Sequence, residues 1–455
     1  MNNNQKIPLL IVSIGAFLIP FMGTALNIAV PSIGMEFMLD ALFVTWIPTS
    51  FILGNAAFIL VFGKIGDIYG RKRIFQYGVL IFTLASIVAL FSNSSVVLLI
   101  SVFFTGLGSS MIYANAVAIL SSVFKTGQRG GALGAYVTAV YAGILAGSIL
   151  GGFLTTSLGW RSIFLFVLSL GFFLLLLILW KFPQDWRDAE GDRFDYKGAF
   201  IYLLSILVIM YGISFINSYQ GILSIILGLM GLILFAWWEL KFETPILNIN
   251  LFRNRIFAIS TVTILIMQIS TSAMWFLLSF YLQSVKLISP DLTGLILVIQ
   301  PLAVVLLSIY TGVLSDKIKV NAVPTAGLIL TSLGLLIFAN LNGKSPVEFL
   351  VLGLILVGAG VALFSSPITN ATMSSVSKKY YGMASATVSN MVFTGQLLSM
   401  GVVIMIFSIS MGTSVLSRVS AECFLRCMNT IFLIFTILSL GGVILTLPLL
   451  RKKKE

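Results

Sequence analysis

Apolar runs of about 20 residues recur from one end of this chain to the other, and that recurrence limits its fold more than any other feature. A helix of that length crosses roughly 30 Å of hydrocarbon at about 1.5 Å per residue. Hydrocarbon offers the backbone no water, so a spanning segment must close its own hydrogen bonds, as a helix does. Fourteen such runs are read, near 8–30, 43–62, 75–92, 96–123, 132–157, 162–182, 197–216, 221–240, 257–284, 292–313, 322–341, 347–370, 383–409 and 428–450. The short alternating segments of a membrane barrel are not found. With 58% hydrophobic residues, the 455-residue chain also exceeds the roughly half-apolar make-up of soluble domains. The pattern predicts an all-α, multi-pass membrane protein. The first run follows one lysine and ends without a small-residue cleavage pattern, so it reads as a retained span rather than a signal peptide.

The few charges sort by side. An even number of spans puts both termini on one face of the membrane. With the termini cytoplasmic, 22 of the 27 Lys and Arg residues fall in inner segments and five outside, the asymmetry expected at a cell membrane. The net charge of +12 is thus a consequence of topology, and nucleic acid is not an expected partner. No Asp, Glu, Lys or Arg lies in the middle of a run, and the chain has no histidine. Intramembrane ionisable groups mark proton relays and ion paths, and these runs offer none. The same lack argues against a membrane enzyme, because acid–base chemistry needs titratable groups in position. Neither a metal nor a cofactor is expected. Cys423 and Cys427 read as apolar helix residues, since a zinc site needs about four ligands. Leu416, Val419, Cys423, Phe424 and Cys427 share helical apolar spacing, which fits either a helix along the outer interface or packing within a loop.

Two polar breaks divide the runs. The segment from Pro183 to Tyr196 is acidic and opens on proline, and a second break covers 241–256. They delimit a six-span bundle over 1–182, a linker with two extra spans over 183–256, and a six-span bundle with a basic tail over 257–455. The blocks repeat one another. GKIGDIYGRKR (Gly63–Arg73) after the second span is echoed by GVLSDKIK (Gly312–Lys319) after the tenth, the second span of its block. Paired halves mark transporters, whose substrate site lies between the repeats. For Gly63, Asp67, Gly70, Arg71 and Lys72, one reading is positive-inside anchoring around turn glycines. The other is a latch. Asp67, just past a helix end, would accept hydrogen bonds from another helix's N-terminus, and Arg71 would bridge to a neighbouring helix end. Gly312 and Asp316 would supply the second copy.

The spacing G-x-x-x-D-x-x-G-R-K-R resembles the loop signature of the major facilitator superfamily. Further residues are similar to its fourteen-span drug/proton antiporter branch: Thr24, Asn27, Ala29 and Pro31; Trp160-Arg161; and the series Gly143, Gly147, Ser148, Gly151 and Gly152, with Ser148 where proline is usual. Glu239, Pro245 and Leu251 to Arg255 fit that branch's linker, and Tyr281-Leu282-Gln283, Ser289-Pro290, Gly294 and Pro301 continue the match. The resemblance covers about 25–410 and implies a secondary transporter of the multidrug-efflux kind, two bundles rocking in alternating access. Two positions depart from the branch. Met22 stands where relatives carry a carboxylate, and Val102 where they carry an arginine, so the residues that resemblance would assign to proton coupling are missing. Glu36 and Asp40, just outside the first span, are the nearest substitutes.

Whatever the family, Gly143, Gly147 and Gly151 share one helical face with Tyr136 and Val140. They permit close helix packing, or a gate in the fifth span. Candidate cavity residues come from polar stripes at helical spacing: Gln268, Ser272, Trp275 and Ser279 in the ninth span; Thr24 and Asn27 in the first; Thr387, Asn390 and Thr394 in the thirteenth; with Asn55, Tyr113, Asn115, Tyr141 and Gln300. Each either bonds a neighbouring helix or lines a neutral pocket. A methionine- and aromatic-edged pocket without charge suits small lipophilic molecules. The expected partners are such a substrate, a proton or other cation left open, and the bilayer around a monomer. A lipid or metabolite exporter and a non-transporting sensor derived from a transporter are the alternatives.

Overall fold

The computed structural model describes residues 3–124, 128–182, 185–187, 189, 191–317, 322–377, 381–411 and 420–450, without the side chains of 3, 4, 309–317, 381 and 448–450. Among the described residues there are fourteen helical segments long and apolar enough to cross a membrane, the number read from the sequence. No strand is present among them. The helices cluster into two units: one of Met1–Leu39 with Phe43–Leu247, the other of Asn248–Glu455 with Asp40–Leu42.

The first unit holds α1 (Asn3–Glu36), α2 (Ala41–Tyr69), α3 (Arg71–Leu90), α4 (Ser95–Val123), α5 (Arg129–Leu158), α6 (Arg161–Lys181), α7 (Tyr196–Ser214) and α8 (Tyr219–Glu239). Helix α1 runs through Pro8, Pro20 and Pro31, so Pro31 does not end it as its sequence position suggests. Neighbouring helices in a membrane bundle re-satisfy the bonds that proline breaks. The main pairings are α1 on α5, α3 on α4, and α3 on α6. The extra helices α7 and α8 pack on each other. Helix α7 is fixed to α2 where Tyr202 Oη donates to Ala56 O at 3.1 Å and Trp46 Nε1 donates to Ser214 Oγ at 3.1 Å.

The second unit begins with a 3-10 turn (Ile249–Arg253), followed by α9 (Arg255–Thr271), α10 (Met274–Phe280) and a π turn (Tyr281–Val285). Those last three segments form the ninth span, interrupted near Ser272 and widened at its C-terminal end. Next come α11 (Pro290–Leu297), α12 (Ile299–Lys317), α13 (Ala322–Ala339), α14 (Val347–Ser374), α15 (Tyr381–Ser410) and α16 (Ala421–Leu450). Here α9 packs on α15, α13 on α14, and α13 on α16. Counted within each six-span block, these are the same pairings as in the first unit: first on fifth, third on fourth, third on sixth. The close approaches repeat as well. A Cβ on Gly108 would lie 2.6 Å from Phe82 N, and one on Gly327 would lie 2.6 Å from Gly360 O. Cys423 and Cys427 are free thiols on α16, while Leu416 and Val419 lie outside the described residues.

Candidate functional site

The loop between α2 and α3 is a folded electrostatic knot. Helix α2 continues to Tyr69, so Asp67 occupies its last turn rather than a position beyond it. Asp67 Oδ1 accepts from Arg71 Nε at 2.8 Å and Nη2 at 2.6 Å. Arg71 Nη1 donates to Ser122 Oγ, near the end of α4, at 2.9 Å. Arg71 is only 7% exposed and braces α2 against α4. The planar fork of arginine makes that double contact possible, which a lysine would not reproduce. Between α2 and α3 the chain turns at Gly70, φ 121°. A side chain is disfavoured there by conformation and by space, since a Cβ would meet Asp185 Cγ at 2.6 Å.

The acidic segment after α6 closes over this loop. Asp185 accepts from Lys72 N at 3.0 Å and lies 3.2 Å from Arg73 Nε. Lys72 Nζ donates to Phe182 O, Arg71 N to Trp186 O at 3.0 Å, and Ala189 N to Asp67 O at 3.0 Å. Lys64 pairs with Asp192 at 2.7 Å. Gly63 makes only ordinary contact with Ala114. The partners of the motif named here all belong to the first unit, and the basic loop is neutralised by residues that the sequence reading treated as linker. Gly312 and Asp316 lie in α12 within 309–317, whose side chains are outside the described residues.

The fifth-span glycines meet α1. A Cβ on Gly143 would lie 2.9 Å from Pro20 Cγ, one on Gly147 2.7 Å from Phe21 O, and one on Gly151 2.6 Å from Ala25 Cα. Gly152 is buried beside them. Thr24, 8% exposed, sits against Gly147 and donates to Pro20 O at 2.8 Å. At the opposite end of α1, Glu36 Oε2 accepts from Trp160 Nε1 and Oε1 from Arg161 Nη1, both at 2.6 Å. Arg161 also donates to Ser92 O at 3.0 Å and stacks on Trp160, 4.2 Å from the ring centroid. Glu36 is therefore engaged in fastening α1, α3 and α6.

The cavity candidates divide into two groups. Asn55 and Asn115 are buried in the contact of α2 with α4. Asn55 donates to Phe51 O at 3.0 Å and accepts from Ser109 Oγ, while Asn115 donates to Met111 O at 2.8 Å and Phe62 O at 3.4 Å. Gln300 and Asn390 are buried too. Asn27, Tyr113, Tyr141, Gln268, Ser272 and Trp275 are half-buried. Of these, Asn27 bonds within its own helix, to Gly23 O at 2.8 Å, and Ser272 donates to Gln268 Oε1 at 3.2 Å. A half-buried amide or phenol retains polar edge for a ligand; a fully buried one serves packing. Met22 and Val102 are both 0% exposed, enclosed by the surrounding helices.

A buried pair of acids stands at the base of the α7–α8 hairpin, of which Glu239 matches the antiporter branch's linker and Asp195 matches no motif. Glu239, at the end of α8, is 3% exposed, and Asp195, at the start of α7, is 2% exposed. Glu239 Oε2 accepts from Leu247 N at 3.0 Å. Asp195 accepts from Gly198 N and Trp238 Nε1, each at 2.8 Å. Forty-three residues of helical hairpin separate the two acids in the chain, and no local pattern announces that they meet.

A model of the Major Facilitator Superfamily matches residues 12–287 and 260–455. The chain is 31% identical over 393 residues to the riboflavin transporter RibZ of Clostridioides difficile, covering 85% of each sequence. It is likewise 31% identical to the multidrug resistance protein Stp of Mycobacterium tuberculosis, over 86% of this chain and 73% of that protein. The puromycin resistance protein pur8 of Streptomyces alboniger is 26% identical over 84% of this chain and 78% of its own. Among solved structures, a bacterial homologue of the human lysosomal transporter Spinster superposes with a TM-score of 0.72 at 14% identity, covering 99% of this chain and 98% of that one. At that identity the likeness concerns the fold alone.

Proposed function

The chain belongs to the Major Facilitator Superfamily, is a multi-pass membrane transporter, and on that premise we propose that it exports small uncharged lipophilic molecules. One observation carries the substrate class: the positions where a coupling carboxylate and arginine would stand, Met22 and Val102, are fully buried and apolar. The half-buried candidates, Asn27, Tyr113 and Tyr141 in the first unit and Gln268, Ser272 and Trp275 in the second, each unit taken by itself, are neutral hydrogen-bonding and aromatic side chains. Such groups grip a planar or lipophilic molecule with a few polar edges. A permanent cation would find no counter-charge, and exporting one against an inside-negative potential costs about 2.3 kcal/mol per 100 mV. Relatives named for multidrug and puromycin resistance support the direction.

In this reading both termini are cytoplasmic, the protein is a monomeric secondary transporter of the cell membrane working by alternating access, and proton coupling does not run through the spans. The relative named as a riboflavin transporter favours a second reading, a planar neutral metabolite as cargo. Flux in proteoliposomes decides among these. Paired neutral and quaternary-ammonium aromatics of matched lipophilicity, with and without an imposed pH gradient, should show transport of the neutral member only. Equal or faster movement of the quaternary member would overturn the proposal, and a saturable preference for a hydrogen-bonding heterocycle over apolar aromatics would select the metabolite reading.

A further inference from the structure

The two buried acids at the base of the α7–α8 hairpin are arranged as a site for a proton. Glu239 Oε1 is buried and has no hydrogen-bond partner, although its residue is only 3% exposed. It lies 2.8 Å from the point that a Cβ on Gly198 would occupy, and the Asp195 carboxylate carbon lies 3.0 Å from the same point. The absent side chain of Gly198 leaves the space into which both carboxylates project. Asp195 has a donor on each oxygen, Gly198 N on one and Trp238 Nε1 on the other, as an anion requires. Glu239 has a donor only on Oε2. A bare carboxylate oxygen held beside another carboxylate, out of water, is costly, whereas an O–H at that position turns the repulsion into a hydrogen bond.

We propose that Glu239 and Asp195 form a proton-binding site, the proton residing on Glu239 Oε1 and donated toward the Asp195 carboxylate. The surrounding charges leave that role to a proton. From α2, Lys64 points this way, but its ammonium is bound to Asp192 at 2.7 Å. From α7, Lys197 lies over the Trp238 ring, 5.5 Å from its centroid. Beyond α8, Lys241 lies over Trp237 at 3.6 Å. The proton therefore fastens the end of α8 to the start of α7, and its departure places two anions side by side and loosens the base of the hairpin. The site is independent of the transport reading: it predicts a property of the folded protein whatever its cargo.

Infrared difference spectroscopy of the full-length protein in lipid nanodiscs tests this directly. At neutral pH the protein should show a protonated-carboxyl C=O band that disappears in Glu239→Gln. With one more proton bound when folded than when unfolded, stability falls as pH rises from mildly acidic to mildly alkaline. The thermal midpoint of the parent should accordingly drop by at least about 2 °C over that range. Glu239→Gln, whose amide donates to Asp195 without a titratable proton, should hold its midpoint at the parent's acidic value. Asp195→Asn, which replaces the anion by an N–H donor, should move loss of the band to lower pH, and it keeps the proposal testable should the glutamine variant not accumulate. Absence of a Glu239-dependent band, or a glutamine variant less stable than the parent at acidic pH, would overturn the assignment.

Discussion

Two glycine-to-alanine changes in the same helix should move stability in opposite directions. In α5, Gly147 faces α1, where an added Cβ would sit 2.7 Å from Phe21 O and 3.0 Å from Phe21 Cα, besides striking the Thr24 hydroxyl. Two of those atoms are backbone, which cannot swing aside as a side chain can. Relief requires α1 and α5 to separate by roughly half to one ångström, which forfeits about a quarter to a half of the dispersion energy of the contacts along that face. Gly143 and Gly151 extend the same approach over neighbouring turns, so the helices cannot tilt away at one turn alone. Overpacking of this kind costs about 1–3 kcal/mol. Gly134 lies on α5 with nothing within 4 Å of its added Cβ, and alanine there gains the helix-propensity difference of about 1 kcal/mol. The pair should therefore differ by about 2–4 kcal/mol, Gly147→Ala less stable than the parent and Gly134→Ala equal or more stable. Equilibrium unfolding in mixed detergent micelles, followed by loss of helical circular dichroism, measures both on one scale. Equal stabilisation by the two changes would show that α1 and α5 do not approach as described.

Other perturbations have equally definite outcomes. Arg71→Lys loses the fork that joins Asp67 and Ser122 and should lower both stability, by about 1 kcal/mol, and transport rate; an unchanged melting curve would show that the brace between α2 and α4 is redundant. Glu36→Ala leaves the Trp160 indole N–H without its acceptor and the Arg161 guanidinium without its counter-charge, and should cost about 1–2 kcal/mol, discounted because the pair is part-exposed; Glu36→Gln, which still accepts from Trp160, should cost less. Met22→Asp puts a carboxyl at a fully buried position and should destabilise by about 2 kcal/mol or more while giving transport a pH dependence that the parent lacks. A pH profile unchanged from the parent would show that the position is cut off from the transport path.

Much of the architecture was legible in the residue order, and the reason is the solvent. A bilayer enforces helices of one length, so fourteen spans and their repeat could be counted from hydropathy, and the glycine face of α5 from a four-residue period. Positions within contacts were less legible. Asn27 and Asn115 read alike as polar residues in apolar helices, yet one is half-buried and the other seals α2 against α4. Which side of a helix meets a partner depends on rotation about its axis, and that is set by packing with helices distant in the chain. The surroundings of the α2–α3 turn are equally illegible: the space beside Gly70 is filled by Asp185, from the far side of four further helices.

The residue order alone therefore decided that the chain crosses a membrane, how many times, and that no charge lies in the middle of a run, because each is a one-dimensional property of composition against a fixed hydrocarbon thickness. Tertiary packing decided where the scarce charges meet. Arg71 with Asp67 and Ser122, Glu36 with Trp160 and Arg161, and Glu239 beside Asp195 are fixed by helices that converge at their ends. Buried charge is so costly in that setting that each group's behaviour follows from its few neighbours, and those neighbours are chosen in three dimensions.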